Sequence, residues 1–238
     1  MAKLDPDMYR VENKYLISDL DIGILQERLR AVMPNDVHQS GSCYEIRSIY
    51  FDDFWDSCMD ENDAGVDDRR KYRIRTYGPS PSPIKLEIKE KRNGLTKKTS
   101  CSLSQEELVA LSSGSMTTDF DHRQTFNQML IQMRLKGMRP KVVIAYERTA
   151  FVHPSGNVRI TVDRNIVAST VIDAFLKERL DGCIPVLPVG MHVLEVKYDE
   201  FLPDFIARQL ELGKLRQTAF SKYYLGRMAV NQEFPITL

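Results

Sequence analysis

Alternation of apolar and charged positions dominates this chain. The stretch "IKLEIKEK" (84–91) puts Ile84, Leu86 and Ile88 on one side of an extended strand, and Lys85, Glu87, Lys89 and Lys91 on the other. Strand-like runs of this kind recur at 8–17 ("MYRVENKYLI"), 43–52 ("CYEIRSIYFD"), 70–77, 95–103, 141–152 ("KVVIAYERTAFV"), 157–163 ("NVRITVD") and 190–199 ("GMHVLEVKYD"). "GPSPSP" (78–83), "RNG" (92–94) and "HPSG" (153–156) are turn signals between them, so 70–103 reads as an antiparallel meander and 141–163 as a hairpin. Helical spacing takes over at 19–32, where Ile22, Leu25, Leu29 and Val32 repeat behind Ser18 as N-cap. Residues 104–137 also read as helical, with Ser104, Glu106 and Glu107 marking a start and Phe126, Met129, Leu130 and Met133 forming an apolar face that ends at Gly137. Two more helices are predicted, "LPDFIARQLEL" (202–212) with Pro203 near its start and a last one at about 219–231, and the acidic stretch 53–62 reads as irregular with room for a short helix. No repeat, low-complexity tract or linker divides the chain, so residues 1–238 form one α+β domain, an antiparallel β structure with peripheral helices.

Residues of equal parity share a strand face. Lys71, Arg73 and Arg75 oppose Tyr72, Ile74 and Thr76, while Arg159, Thr161 and Asp163 oppose Val158, Ile160 and Val162. Glu195 and Lys197 oppose Leu194 and Val196, and Arg10, Glu12 and Lys14 oppose Tyr9, Val11 and Tyr15. Tyr146 and Arg148 share a face with Val142 and Ile144. A solvated face explains one such strand. Five together need another reason, because like charges two apart on a strand repel. A closed barrel supplies it: apolar faces point outward under the helices, and charged faces line a central tunnel. Glu45 and Arg47 fit either an inward position or a salt bridge at the rim.

Composition narrows the chemistry. Hydrophobic residues make up 42% of 238, enough to bury a core, and 33 basic residues balance 33 acidic ones. That balance excludes a globally basic nucleic-acid binder. Cys43, Cys58, Cys101 and Cys183 form no CxxC and read as free thiols of a reducing cytoplasm. The sequence shows no secretory h-region and no run of the roughly 20 apolar residues that a membrane span needs. It has no HExxH, no Walker A loop and no GxGxxG, and "LGKL" around Lys214 lacks the rest of a phosphate loop. Phosphate would therefore be held by side chains. Arg and Lys clusters suit it, and the thrice-repeated Glu-x-Lys (Glu12/Lys14, Glu87/Lys89, Glu195/Lys197) sets a hard-metal ligand beside a phosphate ligand. The chemistry implied is a metal-dependent reaction of a tri- or polyphosphate.

These residues resemble the triphosphate tunnel metalloenzymes, a superfamily marked by an N-terminal ExExK-like strand and an eight-stranded antiparallel β-barrel. Arg10 stands here in place of the first Glu, which points away from the adenylate cyclase and thiamine-triphosphatase branch. The chain is similar instead to VTC-type polyphosphate polymerases, through "RxExKY" (10–15), "RSIYFD" (47–52), "RKYRIRTYG" (70–78), "LEIKEK" (86–91), "YERTAF" (146–151), "RITVD" (159–163), "LEVKYD" (194–199) and "FSKYYLG" (220–226).

That resemblance implies transfer of the γ-phosphate of ATP to a growing inorganic polyphosphate chain. It makes Lys14, Arg73, Arg75, Lys89, Arg148, Arg159, Lys197 and Lys222 the phosphate-holding residues. Glu195 becomes the main ligand of Mn²⁺ or Mg²⁺, with Glu12 and Glu87 as helpers. Ser221 is a hydrogen-bond donor to phosphate, one of Lys97 and Lys98 points inward, and Tyr146 either stacks on adenine or packs in the core. The implied partners are ATP and polyphosphate rather than nucleic acid. Coupling to translocation would need a separate membrane protein, and the expected location is cytoplasmic. A tripolyphosphatase or nucleoside triphosphatase of the same fold, and a non-catalytic polyphosphate or inositol-phosphate sensor, are the alternatives.

Overall fold

The computed structural model describes residues 11–37, 39, 41–78, 82–92, 95–115, 119–213 and 215–232. Arg10, residues 79–81 of the 78–83 turn, residues 93 and 94 of the 92–94 turn and Lys214 lie outside the described residues. Nine strands form one antiparallel sheet: β1 (Val11–Ser18), β2 (Tyr44–Asp52), β3 (Arg69–Thr76), β4 (Ile84–Arg92), β5 (Leu95–Leu103), β6 (Arg139–His153), β7 (Val158–Ser169), β8 (Ile184–Pro185) and β9 (Met191–Tyr198). Their spatial order is β1-β9-β7-β6-β2-β3-β4-β5, with β8 added beside β7. The sheet is therefore an eight-strand path that curls like a barrel, with β1 and β5 as its two ends. Lys89 on β4 bridges the opening to Glu12 on β1 at 3.1 Å.

Among the described residues six α-helices accompany it: α1 (Asp19–Arg30), α2 (Ser57–Asp63), α3 (Gln105–Ser113), α4 (Gln124–Lys136), α5 (Asp204–Ala207) and α6 (Lys222–Val230). Ser18 and Asp21 cap α1 reciprocally, and Ser104 and Glu107 cap α3 in the same way. The helical region 104–137 contains two helices, α3 and α4. Gly114, at φ 73°, ends α3 in the left-handed conformation that glycine adopts freely. Ile22, Leu25 and Leu29 of α1 join Val158, Ile160, Val162, Leu194 and Val196 in one core on the convex side. A second core contains Phe126, Met129 and Met133 of α4 together with Tyr72, Ile74, Leu86 and Ile88 of β3 and β4.

The concave face is not charged along its whole length. Val142 and Ile144 share the concave face of β6 with Tyr146 and Arg148, and α6 packs on this apolar part. Built on Gly226, a Cβ would lie 2.2 Å from Ile144 Cδ1 and 3.5 Å from Ala168 Cβ, so only glycine lets the helix sit this close. Tyr223 stacks on Tyr50 with ring centroids 5.3 Å apart. The concave surface is thus half charged cavity and half packed helix.

Candidate functional site

The cavity lies where the charged strand faces meet the start of α6, and it measures about 110 Å³. β1 contributes Glu12 and Lys14; β3 contributes Lys71, Arg73 and Arg75; β4 contributes Lys89. Tyr146 and Arg148 come from β6, Glu195 and Lys197 from β9, and Ser221, Lys222 and Tyr223 from the N-terminal end of α6. Tyr50 of β2 completes the wall. Period-2 alternation places the strand residues inward, and the antiparallel register sets Glu12 opposite Lys197 and Lys14 opposite Glu195.

Three carboxylate centres organise the cations. At the first, Glu12 meets Lys14 Nζ at 3.1 Å, Lys89 Nζ at 3.1 Å and Lys197 Nζ at 3.5 Å. Its neighbour Glu195 lies 3.3 Å from Lys197 Nζ and 3.7 Å from Arg148 Nη2, and the two carboxyls are within hydrogen-bonding reach of each other. At the second, fully buried Asp163 accepts both arms of the Arg148 guanidinium, at 2.6 and 2.7 Å, and lies 2.6 Å from Lys222 Nζ. At the third, buried Glu87 accepts from Arg73 Nε at 2.7 Å and from Lys98 Nζ at 3.2 Å, with Arg75 Nη1 at 3.6 Å.

Burial raises the cost of every charge here, and the partners decide the outcome. Burial pushes Glu195 up, but Lys197, Lys14 and Lys222 outweigh it and hold the carboxyl well below the ordinary range. Burial and Glu195 push Glu12 up, and Lys197 and Lys89 still leave it lowered. Glu87 is also held low, because Arg73, Arg75 and Lys98 overcome its desolvation. Two lysines lack enough compensation. Burial, with Lys14 and Arg69 nearby, lowers Lys71 to about 7. Burial and neighbouring Lys14 and Lys197 bring Lys89 to about 8, despite Glu12. Eight basic side chains line the cavity. Against Glu12 and Glu195, the two acids of the same lining, that is a nominal excess of six cations, partly offset by Asp163 and Glu87 behind it. Such a site is built for a polyanion.

The family model of the VTC domain matches residues 9–231. The chain belongs to the VTC-domain family. No protein of curated function matches it in sequence. Two solved structures share the fold of this VTC domain. One is an adenylyl cyclase candidate from Hippeastrum, described as having a dominant triphosphatase activity; it is 13% identical over 92% of this chain and 95% of its own, with a TM-score of 0.54. The other is an adenylate cyclase candidate from Bacillus halodurans, 12% identical over 87% of this chain and 88% of its own, with a TM-score of 0.51. The eight antiparallel strands and the α+β class expected from the sequence are present, with the expected barrel formed as a curled sheet whose path ends at β1 and β5.

Within this VTC domain, the structure gathers Lys14, Arg73, Arg75, Lys89, Arg148, Lys197, Lys222, Ser221, Tyr146, Glu12 and Glu195 around one cavity. Arg159 shares their face but is tied to Asp36 at 2.8 Å and to the Tyr44 hydroxyl at 3.3 Å, outside the cavity lining. Lys98 is the inward member of its pair, reaching Glu87, whereas Lys97 sits opposite Glu90 on the other face. Tyr146 is 3% exposed, with Lys222 Nζ 4.9 Å and Arg148 Cζ 5.3 Å from its ring centroid, so its ring carries two cations.

Glu87, expected as a helper metal ligand, lies outside the cavity lining. Its carboxylate is taken up by Arg73, Arg75 and Lys98, and no three carboxylates converge as a metal cluster among the described residues. Arg47 faces the convex side, where it bonds Glu45 at 2.8 Å and donates to the carbonyls of Phe175, Lys177 and Glu178. Sequence reasoning passed over Lys71, Tyr50 and Asp163 as site residues. Lys71 and Asp163 carried a signal, since Lys71 shares parity with Arg73 two residues on and Asp163 with Arg159 four residues back.

Proposed function

We propose that this VTC domain makes inorganic polyphosphate, moving the γ-phosphate of ATP onto the end of a phosphate chain held in the cavity. The observation that carries the reading is the excess of cations around the ionised Glu12–Glu195 pair. A terminal oxygen of the acceptor chain forms a bond to the γ-phosphorus, the bond from that phosphorus to the β–γ bridging oxygen breaks, and ADP leaves. The acceptor is already an anion at neutral pH, so no side chain has to remove a proton. Catalysis then rests on positioning and charge.

Arg73 and Arg75, held by Glu87, present guanidinium groups to the donor phosphates. Arg148 and Lys222 are fixed by Asp163 and by the Tyr146 ring, so their positions are set before substrate arrives. The Ser221 hydroxyl accepts from Tyr224 N–H at 3.3 Å and from Lys71 Nζ at 2.8 Å, which leaves its own proton for a phosphate oxygen. As the N-cap residue of α6 it also places the positive end of that helix at the cavity. Lys14, Lys89 and Lys197 extend the anion path along β1, β4 and β9.

Two neighbouring carboxylates, each held below its ordinary range by the lysines around it, form a donor set that fits a hard divalent cation such as Mn²⁺ or Mg²⁺. Glu195 and Glu12 would hold it, and when bound it would supply charge neutralisation at the transferring phosphoryl and leaving oxygens. The expected cellular setting is cytoplasmic, with ATP and polyphosphate as partners and a separate membrane protein for any translocation. No helix among the described residues is long and apolar enough to cross a membrane.

Hydrolysis of a triphosphate is a second reading, supported by the triphosphatase activity described for the Hippeastrum neighbour. Incubation with ATP and Mn²⁺ separates the two on a polyphosphate gel. Long chains support the polymerase, whereas phosphate release without chains supports the hydrolase. Binding without turnover, retained in Glu195→Gln, would favour a sensor.

A further inference from the structure

Thr161 lies in the middle of the charged face and has no partner. Its hydroxyl oxygen is buried, the residue is 2% exposed, and no hydrogen bond reaches that oxygen. On β7 it sits between Arg159 and Asp163, and in the neighbouring ladder it is paired directly with Glu195 of β9. Side chains two apart on a strand share a face, so the hydroxyl stands on the same face as the Arg148–Asp163 fork and the Glu195–Lys197 pair. A buried hydroxyl left unbonded costs free energy in the folded chain. Valine would fill the same space in a strand without that cost. Thr161 lies outside the cavity lining of the ligand-free chain, so its hydroxyl is reached only when phosphate draws aside the side chains around Glu195, and a threonine here makes sense if that hydroxyl is then bonded.

We propose that Thr161 is a further substrate-binding residue, whose hydroxyl donates a hydrogen bond to an oxygen of the phosphate chain seated beside Glu195. The surroundings favour a phosphate acceptor. Arg148 lies 3.7 Å from Glu195 and Lys197 lies 3.3 Å from it, so an anion is drawn to this place. Arginine and lysine supply charge from the sides, and a short neutral donor adds direction without adding another cation. The proposal rests on the reading of the cavity as a phosphate site.

The test uses the full chain with inorganic tripolyphosphate and no metal, and separately with Mn²⁺ alone. Thr161→Val keeps the shape and removes the hydroxyl. It should weaken tripolyphosphate about tenfold by calorimetry, about 1.4 kcal/mol by affinity arithmetic. Mn²⁺ affinity should not change, and the melting temperature of the ligand-free chain should stay level or rise. Thr161→Ser should keep near-normal tripolyphosphate affinity. Unchanged tripolyphosphate affinity in Thr161→Val overturns the proposal. So does a lowered melting temperature, which would reveal a structural bond, and so does selective loss of Mn²⁺ affinity, which would put the hydroxyl on the metal. If the unaltered chain fails to bind tripolyphosphate, the phosphate-site reading itself falls, an outcome separate from any result at Thr161.

Discussion

Glu87 separates two accounts of the same carboxylate. As a metal ligand it would contribute to Mn²⁺ binding. As a counter-ion it would hold Arg73 and Arg75 in an otherwise repulsive row. Its side chain is 2% exposed and meets Arg73 at 2.7 Å, Arg75 at 3.6 Å and Lys98 at 3.2 Å. Removing one partner of a buried pair costs about 3–5 kcal/mol, because the other charge stays buried without compensation. Glu87→Gln keeps volume and one acceptor oxygen, and Lys98 is half exposed and adds little. The lower end, about 3 kcal/mol, is therefore expected in urea unfolding at pH 7. The low carboxyl pKa gives the sign of its pH dependence. The contribution is complete above the unfolded glutamate range and fades as pH falls below it. The freed arginines should bind tripolyphosphate at least as tightly as before, with Mn²⁺ affinity unchanged. A variant of normal stability that has lost Mn²⁺ would refute the counter-ion assignment.

Other expectations follow from the same geometry. Lys71 at about 7 and Lys89 at about 8 become fully charged when a polyanion arrives, so tripolyphosphate binding at pH 8 should take up about 1.4 protons, read by calorimetry in buffers of different ionisation enthalpy. Affinity should then rise as pH falls from 9 to 7. Both lysines bind protons less tightly in the folded chain than in the unfolded one, so their part in the stability of the ligand-free chain should increase as pH rises from about 7 towards the ordinary lysine range. Arg75→Ala should lower kcat/KM by about 10²-fold with little change in melting temperature, since its links to Glu87 and Ser48 are long, at 3.6 and 3.4 Å. Arg47→Leu should destabilise by about 2–4 kcal/mol through three abandoned carbonyls, without changing KM. Gly226→Ala should cost about 1–3 kcal/mol by pressing α6 against Ile144, and reduced activity would follow from the displaced Ser221 and Lys222.

Much of the cavity was legible because side-chain period and chemistry agreed. Along Lys71–Arg75 of β3 and Lys85–Lys89 of β4 every second residue is charged and those between are apolar or aromatic, and on β9 Glu195 and Lys197 alternate with Leu194, Val196 and Tyr198, so one face had to be chosen as a set. The reading weakened where one face mixed both kinds. On β2 both faces are largely apolar, and Arg47 looked available to a tunnel. Its position was settled by carbonyls more than 120 residues away in sequence. On β7 the strand runs six residues beyond its predicted end, because the register shifts where Asn165 adopts φ 51°. That bulge brings Ile166 and Ala168 towards α6 and breaks the alternation that marks a strand. The choice between Lys97 and Lys98 depended on the pairing of β5 with β4, which sets Lys98 opposite Lys89. Asp163 went unchosen because an acid beside arginines reads as a surface pair until its burial is seen.

The central claim is that this concave face carries a phosphate chain and extends it. The most direct measurement follows ATP labelled at the γ-phosphate, incubated with Mn²⁺ and resolved by chain length, beside Glu195→Gln as control. Label entering chains that lengthen with time, and absent in the control, is the predicted result. Label appearing only as free phosphate, or remaining in ATP, would contradict it.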